Sequence, residues 1–260
     1  MASYSVGETI EGGRRRMSVT RRLHDGESFA PGVIGIFVNP FFLARRGLHE
    51  QLVTLAPRIR GRTLDVGCGQ KPYRELFAAV TSYVGLELDT PENRAAKAAD
   101  VYYDGSTFPF GDDEFDSVVA SQVLEHVFEP DAFLSEICRV LKPGGSLLVT
   151  VPFVWDEHEQ PNDYARYSSF GLHHVLERNG FRVMESHKSV LGVATIFQLI
   201  NALVYKQASS HSRSTGWLAA GMLLMAPLSA LGWLLGWLCR PESSDLYLDN
   251  VVLACKEVSP

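Results

Sequence analysis

Apolar positions along the chain fall into two rhythms that alternate. From Pro40 to about Ala56, Phe41, Leu43, Leu48, Leu52 and Leu55 recur at helical spacing around Arg45, Arg46 and Glu50, which predicts an amphipathic helix leading into the core. Short apolar runs then trade places with helical stretches. Strands are predicted at Thr63–Val66, Tyr83–Leu86, Val101–Tyr103, Asp116–Ala120, Ser146–Val151, Phe181–Ser186 and Asn250–Cys255. Helices are predicted at Lys71–Val80, Pro91–Ala99, Pro130–Leu141 and Ser168–Asn179, with Pro143-Gly144-Gly145 as a stop-and-turn before the fifth strand. Strands and helices alternating at these lengths imply an α/β, doubly wound parallel sheet, because right-handed crossovers must cover both faces.

Two stretches break the rhythm before the last strand. Ser189–Tyr205 is 17 residues without a charge and Gly216–Cys239 is 24. The second reaches the roughly 20 apolar residues a bilayer crossing needs. Two crossings would put Lys206, His211 and Arg213 on the far side, against the usual bias of positive charge toward the cytoplasm, and Gln198 and Asn201 weaken the first stretch. The pattern therefore favours a monotopic hairpin in the membrane interface, with Trp217, Trp233 and Trp237 at headgroup depth and Pro227 bending the second helix. A two-span hairpin, and a soluble lid or homodimer interface that buries these helices, stand as alternatives. Residues 1–38 are arginine-rich at Arg14–Arg16 and Arg21–Arg22 and are expected to form a flexible basic arm, with 39–260 as one domain that includes the insertion at 189–239.

Composition narrows the field. The 260 residues carry a net charge of −6, so no basic field exists to hold nucleic acid. Cys68, Cys138, Cys239 and Cys255 lie far apart, which suggests a reduced compartment rather than a disulfide framework and places the domain at the cytoplasmic side of the membrane. No secretory leader pattern is read in the arm.

The sharpest chemical signal is Leu64-Asp65-Val66-Gly67-Cys68-Gly69 at the exit of the first strand. Ligands of doubly wound sheets bind at the carboxyl ends of strands, where glycines let the backbone approach them. Glu87 lies 22 residues after Asp65, at the end of the second strand, where a carboxylate takes ribose hydroxyls. Lys71 and Pro72 stand where a dinucleotide loop needs its third glycine, which disfavours a pyrophosphate.

This loop resembles motif I of the class I S-adenosylmethionine-dependent methyltransferases. Tyr83–Glu87, Asp104-Gly105, Phe108-Pro109-Phe110, Ser121–His126 and Leu141–Gly145 are similar to that family's further landmarks, in order, over roughly Gly61–Val151. The resemblance implies a Rossmann-like sheet of seven strands with an antiparallel last strand, the apolar helical insertion preceding it. It implies S-adenosyl-L-methionine as cofactor. Gly67, Cys68 and Gly69 are then expected at the methionine end with Asp65 beneath, Glu87 and Leu88 at the ribose, Asp104 and Gly105 at adenine, and Ser121 beside the sulfonium.

The methyl acceptor is expected at residues 153–167, between the fifth strand and the next helix, where function is commonly grafted. The run E-x-P-x-D-Y-x-R-Y there is similar to methyltransferases of bacterial glycan and lipid-linked sugar pathways. His158 is the candidate general base, Asp163 its orienter or a substrate contact, His126 a second base, and Tyr164 and Arg166 substrate contacts. His158-Glu159 opens like a zinc-protease motif, but Asn162 replaces its second histidine, so no metal site is expected. A small, lipophilic or lipid-linked acceptor, methylated at oxygen, is the expected substrate. The rival readings are a membrane-docked module that binds cofactor without turnover and a soluble-metabolite methyltransferase that dimerises through its apolar helices.

Overall fold

The computed structural model describes residues 27–210, 215–239 and 242–258, with the side chains of all these except 215–223. The basic part of the arm, up to residue 26, lies outside the described residues, as does the side chain of Trp217.

Seven described strands form one sheet: β1 Gly61–Val66, β2 Val80–Leu88, β3 Val101–Tyr103, β4 Phe115–Ser121, β5 Leu141–Pro152, β6 Phe181–Lys188 and β7 Asp249–Lys256. Their order is β3-β2-β1-β4-β5-β7-β6. β1 through β5 pair in parallel, and β7 runs antiparallel between β5 and β6. The sheet is the seven-stranded mixed sheet of class I methyltransferases, as the sequence implies. Strand order reverses between β1 and β4, so a crevice opens at their carboxyl ends.

Both faces are covered, which is why central strands read as continuous apolar runs. Alternate residues serve opposite layers. Val118, Ala120, Leu147 and Val149 join Leu134 and Ile137 of α4 (Pro130–Val140) and Leu172 and Leu176 of α5 (Ser169–Arg178). Val119 and Leu148 join Leu48, Leu52 and Leu55 of α2 (Phe42–Leu55) on the other side. A short α1 (Gly35–Val38) precedes α2, and α3 (Pro91–Ala96) follows β2, its amino end capped by the Thr90 hydroxyl, which accepts from Asn93 N at 3.2 Å.

Two expectations need correction. No α-helix spans Lys71–Val80; a single 3₁₀ turn occupies Arg74–Leu76. Pro72 disfavours helical backbone at Lys71, which turns left-handed (φ +54°) and sends its ammonium 2.6 Å from the Asp100 carboxylate. Tyr73 and Phe77 still pack inward against the α2 layer. Nor does Pro143-Gly144-Gly145 separate helix from strand. β5 begins at Leu141, which pairs with Phe115, and the register then skips to Ser117 opposite Ser146, so the Pro-Gly-Gly segment bulges within the strand.

The apolar stretches form two long helices, α6 (Val193–Ser210) and α7 (Thr215–Leu238), which pack on each other and on α1 and α2. Among the described residues no helix is long and apolar enough to cross a membrane. The inner face of α6 is small and polar: Ala194, Thr195, Gln198, Asn201 and Ala202 are buried. Gln198 accepts from Ala44 N at 3.1 Å and donates to Pro40 O at 3.1 Å, while Asn201 donates to Ser229 of α7 at 2.8 Å. Ile196, Ile200 and Leu203 of α6 face outward instead.

Candidate active site

The cradle at the end of β1 is built by two left-handed glycines, Gly67 (φ +65°) and Gly69 (φ +48°). They have different reasons to be glycine. A Cβ on Gly67 would fall 2.5 Å from Val123, whereas one on Gly69 would meet no protein atom within 4 Å and would fill the open side of the cradle. Glu87 closes the floor: one carboxylate oxygen accepts from Gly69 N at 2.9 Å and the other from Leu88 N at 3.0 Å. Asp65 lies beneath, 6% exposed, and accepts from the Tyr83 hydroxyl at 2.6 Å. Burial pushes its carboxyl up to about 7 against the opposing Tyr83 hydrogen bond. The Cys68 thiol is pushed up to about 12, mainly by burial, which makes it a packing group rather than a nucleophile.

The remaining cofactor candidates line the same strand ends. Asp104 folds its carboxylate onto its own turn, accepting from Ser106 N and Oγ at 2.9 and 2.6 Å; the hydroxyl bond is the main reason its acidity is raised. Gly105 packs close to Leu88. The Ser121 hydroxyl lies 3.0 Å from that of Thr150, which also accepts from Gln122 Nε2 at 3.2 Å. Asp65, Gly67, Cys68, Gly69, Glu87, Leu88, Asp104, Gly105 and Ser121 thus all lie at or just beyond the carboxyl ends of β1 to β4.

On the neighbouring side, residues 153–167 form a loop that closes on itself through Asp163 and Arg166. Two guanidinium nitrogens of Arg166 reach the two Asp163 oxygens at 2.6 Å each, and Asp163 also accepts from His158 N at 2.9 Å. Arg166 drives the Asp163 carboxyl down to about 2. Arg166 further donates to Asp156 O at 2.8 Å and Ala165 O at 2.7 Å, so the side chain expected to touch substrate also holds the loop. Tyr164 is exposed, with its hydroxyl donating to Asn162 at 3.1 Å.

This loop is pinned to the end of β4. Glu125 O accepts from Tyr164 N and Ala165 N at 2.8 and 3.2 Å, and His126 Nδ1 lies 2.7 Å from Asn162 O. His126 and His158 therefore meet edge to face, with ring centres 4.9 Å apart. His158 Nδ1 is 3.2 Å from both Asp163 and Asp156 O, contacts that fix the orientation of the ring. Burial lowers the pKa of both histidines, which favours the neutral imidazole that can accept a proton. Glu125 went unsinglled by sequence reasoning, although it sits beside His126 in a motif the sequence displays. It is fully buried, and burial pushes its carboxyl up to about 8.

Residues 64–149 match a family described as the methyltransferase domain. Over that segment the chain is similar to class I S-adenosylmethionine-dependent methyltransferases. Its methyl donor is S-adenosyl-L-methionine, and the open cradle at Gly69 with the Glu87 carboxylate beside it fits that cofactor. The methyltransferase domain is 37% identical over 127 residues to a methyltransferase of Mycobacterium marinum described as uncharacterized, covering 45% of this chain and 46% of that one. A probable S-adenosylmethionine-dependent methyltransferase of Mycolicibacterium smegmatis is 37% identical over 134 residues, 49% of this chain and 50% of that one. The chain thus spans about half the length of these curated relatives. In fold, it is similar to the [4+2]-cyclase SpnF (TM-score 0.53, 21% identity, 83% of each chain). It is also similar to a Haemonchus contortus phosphoethanolamine N-methyltransferase solved with S-adenosyl-L-methionine (TM-score 0.53, 18% identity, 91% of this chain and 60% of that one). A cyclase on the same architecture underlines that chemistry is decided by the site rather than the fold.

Proposed function

We propose that the whole protein transfers a methyl group to an oxygen of a small lipophilic or lipid-linked acceptor, docked at the cytoplasmic face of a membrane. The observation that carries this reading is the inverted amphipathicity of the hairpin. α6 buries polar and small residues and exposes Ile196, Ile200 and Leu203, while α7 exposes Leu231, Trp233, Leu234, Trp237 and Leu238. Val33, Ile34, Phe37 and Val38 on the neighbouring α1 segment are exposed as well. Apolar surface of this kind suits an interface rich in tryptophan.

The hairpin also leads to the acceptor loop. Phe41 packs on Tyr205 and Trp155 at ring-centre distances of 5.2 and 5.9 Å, and the Lys206 ammonium bridges Asp156 at 2.5 Å and Glu157 O at 2.9 Å. An acceptor partitioned into lipid would reach the loop at its attachment to that surface.

Bound S-adenosyl-L-methionine supplies a methyl already activated by its sulfonium. The chain's residues have to align the acceptor and exclude water, which is where much of the rate resides. His158, held by Asp163, takes the acceptor hydroxyl proton, and His126 shares the pocket. Tyr164, exposed at the loop's edge, contacts the acceptor.

The test is flotation of the full chain with vesicles of neutral and anionic lipid, comparing wild type with a Trp233→Ser/Trp237→Ser variant, followed by a labelled-methyl screen of lipid extracts. Flotation lost in the variant and label entering a lipid fraction would support the reading. No flotation, with a dimer by light scattering, would assign the face to a second copy and overturn it.

A further inference from the structure

Glu125 presents a problem that the proposed proton transfer does not solve. Its side chain is fully buried, yet neither carboxylate oxygen has a hydrogen-bond partner among the described residues. A buried carboxyl left this way costs free energy unless something else satisfies it. Its surroundings are specific. Glu125 Oε1 lies 3.8 Å from His126 Nε2, and one ligand-capable atom from each of Glu125, His126 and His158 lies within 4.8 Å of the other two. Glu159 adds a second carboxylate 3.8 Å from His126 Nε2.

Both imidazoles are braced as metal-ligating histidines are. His126 Nδ1 is held by Asn162 O, and His158 Nδ1 by Asp156 O and Asp163. Such partners fix tautomer and ring orientation, leaving the other nitrogen as the ligand atom.

We propose that Glu125, His126 and His158 bind one divalent transition-metal ion of the manganese, iron, cobalt or zinc class. Two imidazoles and a carboxylate suit those ions better than magnesium or calcium, which prefer all-oxygen shells. Metal–ligand distances of about 2.0–2.2 Å place ligand atoms about 3–3.5 Å apart, so the three side chains have to close by at most about 1.3–1.8 Å. Three protein ligands leave positions open toward the acceptor.

The inference deepens the proposed oxygen methylation and rests on it for its chemical role. An acceptor hydroxyl bound to the ion loses its proton to solvent at a lower pH than when free. The oxygen's electron pair then forms the O–CH₃ bond as the S–CH₃ bond breaks, its pair staying on sulfur. His158 serves as a ligand in that state, and the ion takes over its task of making the oxygen nucleophilic.

The experiment uses the full chain, stripped with chelator and titrated with Co²⁺, reading the visible ligand-field bands. Binding of S-adenosyl-L-methionine is measured on the same sample by calorimetry. One Co²⁺ per chain is expected, weakened at least about tenfold in both Glu125→Gln and His158→Ala, and not displaced by excess Mg²⁺. Should Glu125→Gln fail to fold, His158→Ala, in the loop, carries the same expectation. A folded wild type that binds the cofactor but no Co²⁺ overturns the metal site alone, as do bands unchanged in His158→Ala. Loss of cofactor binding in wild type would instead strike the proposed function, leaving the Co²⁺ titration to decide the site.

Discussion

Replacing Asp163 by Asn removes the charge that holds the acceptor loop closed, and the structure sets the size of the effect. Asp163 is 3% exposed, Arg166 is 23% exposed, and two N–O contacts of 2.6 Å join them. A charge-assisted bidentate pair at this depth contributes on the order of 2 kcal/mol. The acidity of the carboxyl leads to the same figure: a pKa depressed from 3.8 to about 2 corresponds to about 2 kcal/mol. Because the folded-state pKa is depressed, this stabilisation is present above about pH 4 and is lost as the pH falls toward about 2. The loop amides of Tyr164 and Ala165, bonded to Glu125 O, report its opening directly. Asp163→Asn is expected to speed their hydrogen exchange about 30-fold at pH 7, the equivalent of about 2 kcal/mol. Methyl transfer should fall at least about tenfold as His158 loses its orienting partner. The exchange difference between wild type and variant should shrink as the pH is lowered below 4. Equal protection in the two proteins at pH 7 would refute the assignment of Asp163 and Arg166 as the clasp of the loop.

Three further outcomes follow from the cofactor crevice. Glu87→Ala should weaken S-adenosyl-L-methionine binding at least about tenfold by calorimetry while leaving cooperative thermal unfolding in place; unchanged affinity would remove Glu87 from the ribose site. Gly69→Ala should cost only about 1 kcal/mol of stability yet abolish measurable cofactor binding, because its Cβ enters open space in the cradle, whereas Gly67→Ala should destabilise by more, because its Cβ strikes Val123 at 2.5 Å. Asp65 has a folded-state pKa raised from 3.8 to about 7, so its contribution diminishes stability as the pH rises through that window. Tyr83→Phe raises that pKa further by removing a donor to the carboxylate, and urea unfolding should show an extra loss of about 1–2 kcal/mol, larger at pH 8 than at pH 6.

Much of the cofactor half is legible along the chain because it is local. Gly67, Gly69 and Glu87 sit at strand ends, and a strand end followed by a turn is visible in the pattern of β-branched, glycine and charged residues. The Lys71–Val80 segment misleads because its apolar spacing suits a helix, while Pro72 and the reach of Lys71 to Asp100 prevent one. Arg166 shows a different gap: the sequence does not reveal that Asp163 and three backbone carbonyls take its donors and make it hold the loop.

By itself, then, the order of residues determined the alternation of strands and helices, the glycine cradle with its carboxylate, and the presence of an apolar insertion ahead of β7. These depend on neighbours a few residues apart. Only the tertiary structure decided which face of α6 turns inward, since Gln198 and Asn201 find their partners at Pro40, Ala44 and Ser229. Likewise it alone brought Glu125, His126 and His158 together. Contacts between residues more than thirty positions apart are set by how β4 and the loop after β5 pack, and no local spacing records that.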